Sequence, residues 1–431
     1  MRRGHRSTRW RNALCTAVVL AAAMRLFALQ GCWRTIRIEG ASMAPALHGT
    51  AWELTCLDCG FAYRLAEEYL PQDGRSVCPN CGFAGNQVAM GRRVLGDRIW
   101  IDRWPRWSAG WNRFDVVAVE GHDGVRAAKR LLGFPGEAIE FREGDLWVDG
   151  RRVEKTMAQF RRLAVLVHDA DHVPSLIGAP RRWVAADGAR SGWKRRDVAW
   201  FHDGPPEGRP ATSLDWLEYR HRPPVRGLIP PRTRADEIPV FDTYAGNGDR
   251  TRGPLHVVAD LIVETHLWWG PRDGLAVELR GTGEAWRVEL DRRTAHVTWY
   301  RNDVAVGEST CPELDGPSRR TERLQFGLLD GRLVVALDDH EISTRRVADP
   351  AKLQGHTRPV RLAVVRGHIV LSHLKLWRDL YYFGPDPTAA TWQRSTRRGW
   401  FLVGDNLPVS IDQRIRPLSD WRPFGRVIDG R

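Results

Sequence analysis

Residues 56–61 read CLDCGF and residues 78–83 read CPNCGF, and no other feature restricts the local fold of this chain as tightly. In a Cys-x-x-Cys-Gly-Phe knuckle the turn aims two thiolates at one point. Two knuckles separated by residues 60–77 have the spacing at which four thiolates close a tetrahedron around one zinc ion. Cys56, Cys59, Cys78 and Cys81 are therefore read as the ligands of a zinc ribbon over residues 52–86. Such a metal is structural, because four protein ligands leave no open position for a catalytic water. The competing reading is two disulfides, local or crossed, which an oxidising compartment would favour. Cys15, Cys32 and Cys311, the rest of the seven cysteines, are isolated and read as buried or unpaired thiols.

The chain of 431 residues is 42% hydrophobic, enough to bury two or three separate cores. Its formal charge of +13 suits an anionic partner, either lipid headgroups or nucleic acid. The ribbon argues against nucleic acid, since residues 56–81 hold only Arg64 and Arg75 as basic groups against Asp58, Glu67, Glu68 and Asp73. The N-terminus argues for lipid. MRRGHRSTRWR is followed by an uncharged run from Ala13 to Met24, the order of a cytoplasmic basic flank and a membrane segment. The run is shorter than the ~20 residues a span needs, so Arg25 is expected to snorkel while Leu26 to Leu29 complete the helix. Residues 1–33 are thus expected to be a basic N-terminus and a single membrane anchor. A cleaved signal peptide is the competitor, but no clear small-x-small site ends the apolar run.

The rest of the chain is expected to be mostly β. TIRIEGASMAPAL reads as a strand running into a turn that Pro45 enforces. Between residues 91 and 153 the runs RIWIDRW, FDVVAVE, VRAAKRLLG, AIEF and DLWVDGRRV are short and closely spaced, with a hairpin signal at Asp149 and Gly150, which indicates an antiparallel, barrel-like or folded sheet. Residues 156–240 carry no clear pattern. From His256 onward apolar runs recur at the interval of a β-sandwich, with the rhythm of the jelly-roll sandwiches of lectins and glucanases. A glycosidase would need two carboxylates facing each other across a cleft. The strands show no closely spaced Glu-x-Asp-x-Glu arrangement, so this part is read as non-catalytic. The stretch WIDRWPRWSAGW places Trp100, Trp104, Trp107 and Trp111 among arginines, either as core packing or as an interfacial rim touching a bilayer.

Chemistry enters at Ser42 in GASMAPAL. A serine hydroxyl needs a neighbouring base to act as a nucleophile at neutral pH. His48 is close in sequence, yet no Gly-x-Ser-x-Gly elbow surrounds the serine. A lysine is the other option, provided an apolar pocket desolvates the ammonium and lowers its pKa. Lys129 has that setting, between Ala127, Ala128, Leu131 and Leu132.

With these residues in view, the chain resembles the type I signal peptidases, membrane-bound Ser/Lys proteases that remove signal peptides. Four blocks carry the resemblance in order: GASMAPAL, GDRIWIDR, KRLLGFPGEAI and GDNLPVSIDQR. It implies that Ser42 is the nucleophile and Lys129 the general base, with the Ser42 amide contributing to the oxyanion hole. Ser410 would orient the Lys129 amine, Asp412 and Arg414 would hold that loop together, and Gly404, Asp405 and Asn406 would form the turn beside the site. Met43 and Pro45 would help to shape shallow apolar pockets for small residues before the cut. Small Gly40 and Ala41 would let the substrate backbone approach. Catalysis would need no cofactor.

The implied partners are signal peptides of exported preproteins and the lipid bilayer. The implied location is the inner (cytoplasmic) membrane, single-pass, with the catalytic unit on the outer side. Two departures stand out: Gly40 occupies a place where many relatives carry a second hydroxyl, and Leu407 and Pro408 follow Asn406 where an arginine is usual. The expected organisation is a catalytic core over 34–155 and 391–431, interrupted by the ribbon (52–86) and by a β-sandwich insert (156–390) whose ligand is unknown. An inactive relative, binding carbohydrate or protein through the sandwich, is the alternative.

Overall fold

The computed structural model describes residues 4–25, 33–103, 110–121, 124, 126–204, 214–223, 233–248, 255–384, 391–395, 399–410, 412, 414 and 421–428. Residues Gly4–Met24 form one helix of 21 residues. Among the described residues no helix is long and apolar enough to cross a membrane, which corrects the expected span. The physical reason lies in where the helix starts. It begins inside the basic flank, so Arg6, Arg9 and Arg11 fall within it, and the uncharged run Ala13–Met24 rises only about 18 Å against a hydrocarbon core of about 30 Å. Leu26 to Leu29, expected to complete the span, lie outside the described residues, as does Cys32.

The remainder is built from antiparallel sheets. Six strands form one of them, in the spatial order Trp33–Arg37, Arg98–Asp102, Arg422–Ile428, Val116–Glu120, Arg126–Gly133 and Phe401–Val403. Strand alternation sets its faces: Ile99 and Ile101 are buried, while Trp100 between them is 43% exposed. Arg126–Gly133 is buried along nearly its whole length, because strands cover both its edges and side chains cover both its faces.

A four-stranded sheet pairs Ala138–Arg142 with Asp145–Val148 and with Thr391–Ser395, and ends on Arg151–Arg152. Asp149 and Gly150 both have positive φ, as a two-residue hairpin turn requires. Phe141 stacks on Tyr382 and Trp392 and joins residues 132–146 to 380–403 in one core.

Residues 51–94 make a three-stranded sheet (Ala51–Thr55, Ala62–Ala66, Arg92–Val94) and a two-stranded one (Arg75–Ser76, Asn86–Gln87). Their small core gathers Leu54, Tyr63, Leu65 and Val88 around the four cysteines.

The largest part is two sheets on one shared core. The first has eight strands centred on Ile369–Arg378, Leu261–Trp269 and Arg320–Leu329; the second has seven, centred on Val360–Arg366, Gly274–Arg280 and Ala285–Asp291. Leu267, Phe326 and Leu371 from the first sheet meet Val277, Val288 and Leu362 from the second. Residues 156–240, patternless in sequence, add short strands to both sheets and the helix Met157–Leu163. That helix starts at a capping box formed by Thr156 and Gln159.

Two of the four clustered tryptophans, Trp104 and Trp107, lie outside the described residues. Trp111 packs edge-on against Trp400 at 6.1 Å.

Candidate active site and cysteine cluster

Lys129 sits in the middle of strand Arg126–Gly133, opposite Val117 of Val116–Glu120. On the other edge of the same strand lies Phe401–Val403, with Val403 facing Arg130. The chain then turns through Gly404, Asp405 and Asn406 and brings Ser410 back over the lysine. Lys129 is 3% exposed, and its Nζ donates to Ser410 Oγ at 3.2 Å. Burial holds its pKa below the ordinary lysine value, with Asp412 and Asp405 pulling upward and Arg414 downward.

Burial pushes Asp412 up, but the adjacent guanidinium outweighs it and holds the carboxyl below its usual range. Arg414 binds Asp412 through two bonds of 2.7 Å, and the Gly404 amide donates to the same carboxylate at 2.9 Å. The charges around Lys129 therefore pair largely with one another. Desolvation of the amine works against its charged form.

Ser42 is partly exposed in the turn after Ile38. Its carbonyl accepts from the Asn406 amide at 3.0 Å, and the Ala41 carbonyl accepts from Asn406 Nδ2 at 2.9 Å. Gly404 completes the junction: a Cβ on it would lie 2.5 Å from the Ser42 carbonyl oxygen and would collide with Ser410 Oγ. The main chain of Ser42, the hydroxyl that holds Lys129, and the Gly404–Asn406 turn thus meet at one point. Met43 lies beneath the turn, 1% exposed, packed with Ile38, Leu47, Ile99 and Ala128. Its place is anchoring the serine turn beside the lysine strand, whereas Pro45 stays partly exposed. His48, the other base considered, is engaged elsewhere, its Nε2 meeting Tyr244 Oη at 3.0 Å and its ring 3.7 Å from Asp97.

Three contacts of the site were not visible in the sequence. Arg130 and Asp405 form an ion pair whose side chains are 4% and 1% exposed, which ties the lysine strand to the closing turn. Asn247 exchanges two amide hydrogen bonds, of 2.7 and 2.6 Å, with Asn406. Glu68 accepts the Ala41 amide at 3.1 Å and lies 3.5 Å from where a Cβ on Gly40 would stand. Isolated charged and amide residues carry no periodicity, so only the folded chain shows these contacts.

Gly404→Ala is expected to fail. Overpacking costs about 1–3 kcal/mol, and here the strain falls on Ser42 and Ser410 together. The variant should show a lowered denaturant midpoint and at least a tenfold loss of any activity of the site. Activity at the unsubstituted level would show that the junction tolerates a methyl.

The cysteines come together at a separate place. Cys56 and Cys81 sulfurs are 3.6 Å apart and those of Cys59 and Cys78 are 3.7 Å apart, while all four lie within 4.8 Å of one another and are buried. A tetrahedron with the 2.3 Å arms of zinc–thiolate bonds has edges of about 3.8 Å, so the cluster can hold a metal ion. Gly60 and Gly82, with φ of 71° and 76°, provide the left-handed step that ends each knuckle. The third residue of each knuckle docks on the large unit. Asp58 accepts from the Ser175 and Leu176 amides, both at 2.8 Å, and Asn80 exchanges bonds of 3.0 and 2.7 Å with the Asp169 main chain.

Residues 83–176 match the family described as signal peptidase, peptidase S26, a stretch that holds Lys129 and stops short of Ser42 and Ser410. Signal peptidase I of Bacillus licheniformis is 22% identical over 147 residues, 34% of this chain and 52% of that protein. Signal peptidase I U of Bacillus subtilis (strain 168) is 30% identical over 60 residues, 14% of this chain and 32% of that one. The chain thus spans about half or less of the curated relatives it matches. These matches support the signal peptidase I family and a protease of that kind.

Among solved structures, a prokaryotic beta-1,3-1,4-glucanase (lichenase) derived from a mouse hindgut metagenome is 11% identical, covering 50% of this chain and 97% of that one at a TM-score of 0.29. A carbohydrate binding module from Bacillus subtilis is 12% identical, with coverages of 45% and 94% and a TM-score of 0.28. Likenesses at these scores carry no argument about the two large sheets.

Proposed function

We propose that the chain is a membrane-associated serine endopeptidase that removes signal peptides from exported preproteins, cutting after small residues by a Ser42–Lys129 dyad. The observation that carries this reading is the buried Lys129 amine, held by Ser410 and depressed in pKa, with the turn of Ser42 stitched to the same loop through Asn406 and around Gly404. In the proposed reaction neutral Lys129 takes the Ser42 proton as Oγ attacks the scissile carbonyl, and the Ser42 amide donates to the oxygen that gains charge. The lysine returns that proton to the leaving amine. An acyl-serine remains, which water hydrolyses with Lys129 again as base. Asp412 and Arg414 keep Ser410 in place.

Residues 34–155 and 391–431 would form this catalytic unit, with 52–86 and 156–390 as insertions. The decisive test is incubation of the detergent-solubilised protein with a preprotein bearing an Ala-x-Ala site. A trimmed product ending after the second alanine is expected; intact preprotein under conditions where a known signal peptidase cuts it would reject the proposal.

The pH dependence has a definite sign. The base works only when neutral, so activity is low while Lys129 is protonated and rises as pH passes through its lowered pKa. The rising limb should therefore lie below the ordinary lysine value of 10.5. A profile governed by one group near the ordinary histidine value of about 6.5 would point to a histidine base instead.

The cysteine cluster is proposed to bind one structural zinc per chain through Cys56, Cys59, Cys78 and Cys81. Metal analysis should find it, and prolonged chelation should lower the thermal midpoint, since metal affinity is linked to folding. Absence of zinc together with Cys–Cys cross-links in peptide mapping would favour disulfides.

A further inference from the structure

A cavity of about 340 Å³ opens where the serine turn, the knuckle unit and the eight-stranded sheet meet, within the size range of small-molecule sites. Phe61, Val165, Val167, Val240 and Phe241 give it an apolar wall, and Arg378 lines it as well. Arg378 ends the strand Ile369–Arg378 and is 4% exposed. Its two terminal nitrogens donate to the carbonyls of Asp379 at 3.0 Å and Thr243 at 2.8 Å. Both partners are neutral main-chain oxygens.

Among the described residues no carboxylate lies within ion-pair distance of this guanidinium. The acids that act on it from further away, Asp242 and Asp379, are committed to His256 at 2.9 Å and to Lys155 at 2.9 Å. The other charged pair on the cavity wall, Arg64 and Glu53, is matched within itself at 3.4 Å. A buried cation without water or counter-ion is costly, and burial already pulls the pKa of Arg378 down. Of the five N–H donors of a guanidinium two are spent on carbonyls, so donors remain for an acceptor arriving through the cavity.

We propose that this cavity binds a carboxylate borne on a short apolar chain, with the carboxylate on Arg378 and the chain along Phe61, Val165, Val167, Val240 and Phe241. A charge-assisted bond would neutralise the buried guanidinium, and the apolar wall would select against small hydrophilic anions. An adjoining smaller cavity continues from Arg378 to Pro45, Asn406 and Leu407. An occupant would therefore press on the residues that hold the serine turn. The ligand chemistry has two sources, a free fatty acid or the C-terminus of an apolar peptide. Binding is independent of whether the chain cleaves anything, so this proposal and the proteolytic one fail separately.

The test is calorimetric titration of the full chain with octanoate against octanol, and with the peptide Ala-Leu-Ala-Ala as free acid against its amide. The acid of at least one pair should bind at least tenfold more tightly than its neutral partner, and the pair that does so identifies the source. Arg378→Met should erase the difference, and Val167→Trp, which fills the cavity, should abolish binding while leaving Arg378 in place. Equal binding of acid and neutral partner in both pairs, no binding at millimolar concentration, or binding that survives Val167→Trp would overturn the proposal. Should Arg378→Met not fold, the acid–neutral comparison and the Val167→Trp variant decide it.

Discussion

Ser42→Ala and Lys129→Ala are each expected to lower kcat/KM for a preprotein by about 10⁴-fold or more, because a nucleophile and its base act as one unit and losing either removes the route. Lys129→Arg should be as inactive as Lys129→Ala, since a guanidinium stays protonated and cannot accept the serine proton. Lys129→Met separates chemistry from folding. It replaces a desolvated amine by an apolar chain of similar length, so the protein should unfold at the same or higher denaturant concentration while remaining inactive. His48→Ala should keep activity within tenfold, because its ring is engaged by Tyr244 and Asp97. Activity within tenfold of the unsubstituted protein in either Ser42→Ala or Lys129→Ala would exclude the dyad.

Asp405→Ala should be among the most destabilising single changes in the described chain. It strands the Arg130 guanidinium, 4% exposed, with the Phe114 carbonyl at 2.8 Å as its remaining hydrogen-bond partner among the described residues. Removing one member of a buried pair costs about 3–5 kcal/mol, to be read from urea unfolding. The double change Arg130→Met with Asp405→Leu should recover most of that loss, since it leaves no unpaired charge. A single variant as stable as the unsubstituted protein would mean that water reaches Arg130. Because Asp405 sits between Gly404 and Asn406, its loss should also loosen the turn that touches Ser42.

The parts of the molecule that the sequence made legible are those where a local rule suffices. The knuckles were readable because glycine after the second cysteine is needed for a left-handed step, and the Asp149–Gly150 hairpin because few residue pairs accept positive φ twice. Lys129 stood out because a charge set among Ala127, Ala128, Leu131 and Leu132 conflicts with its surroundings. By contrast, Met43, expected to help shape a shallow pocket, is buried, since its place depends on Ala128 in a distant strand. The N-terminal run looked like a span when judged by its neighbours' charge, but the helix takes in the arginines too. Glu68 reaches the serine turn across 27 residues of chain and Asn247 reaches Asn406 across 159, and no windowed pattern encodes such meetings.

The position of strand Arg422–Ile428 has a consequence for how the molecule is made. It pairs with Arg98–Asp102 on one side and Val116–Glu120 on the other, so the middle of the six-stranded sheet is filled by a segment synthesised long after both of its neighbours. Until then the earlier strands hold an open slot, and Lys129 waits for a hydroxyl 281 residues downstream. Contacts this distant in sequence form late and slowly, after the large two-sheet unit has been synthesised. If the chain is the protease proposed above, it stays silent until Arg422–Ile428 docks; a variant stopped near residue 400 should keep the two-sheet unit folded and show no proteolysis.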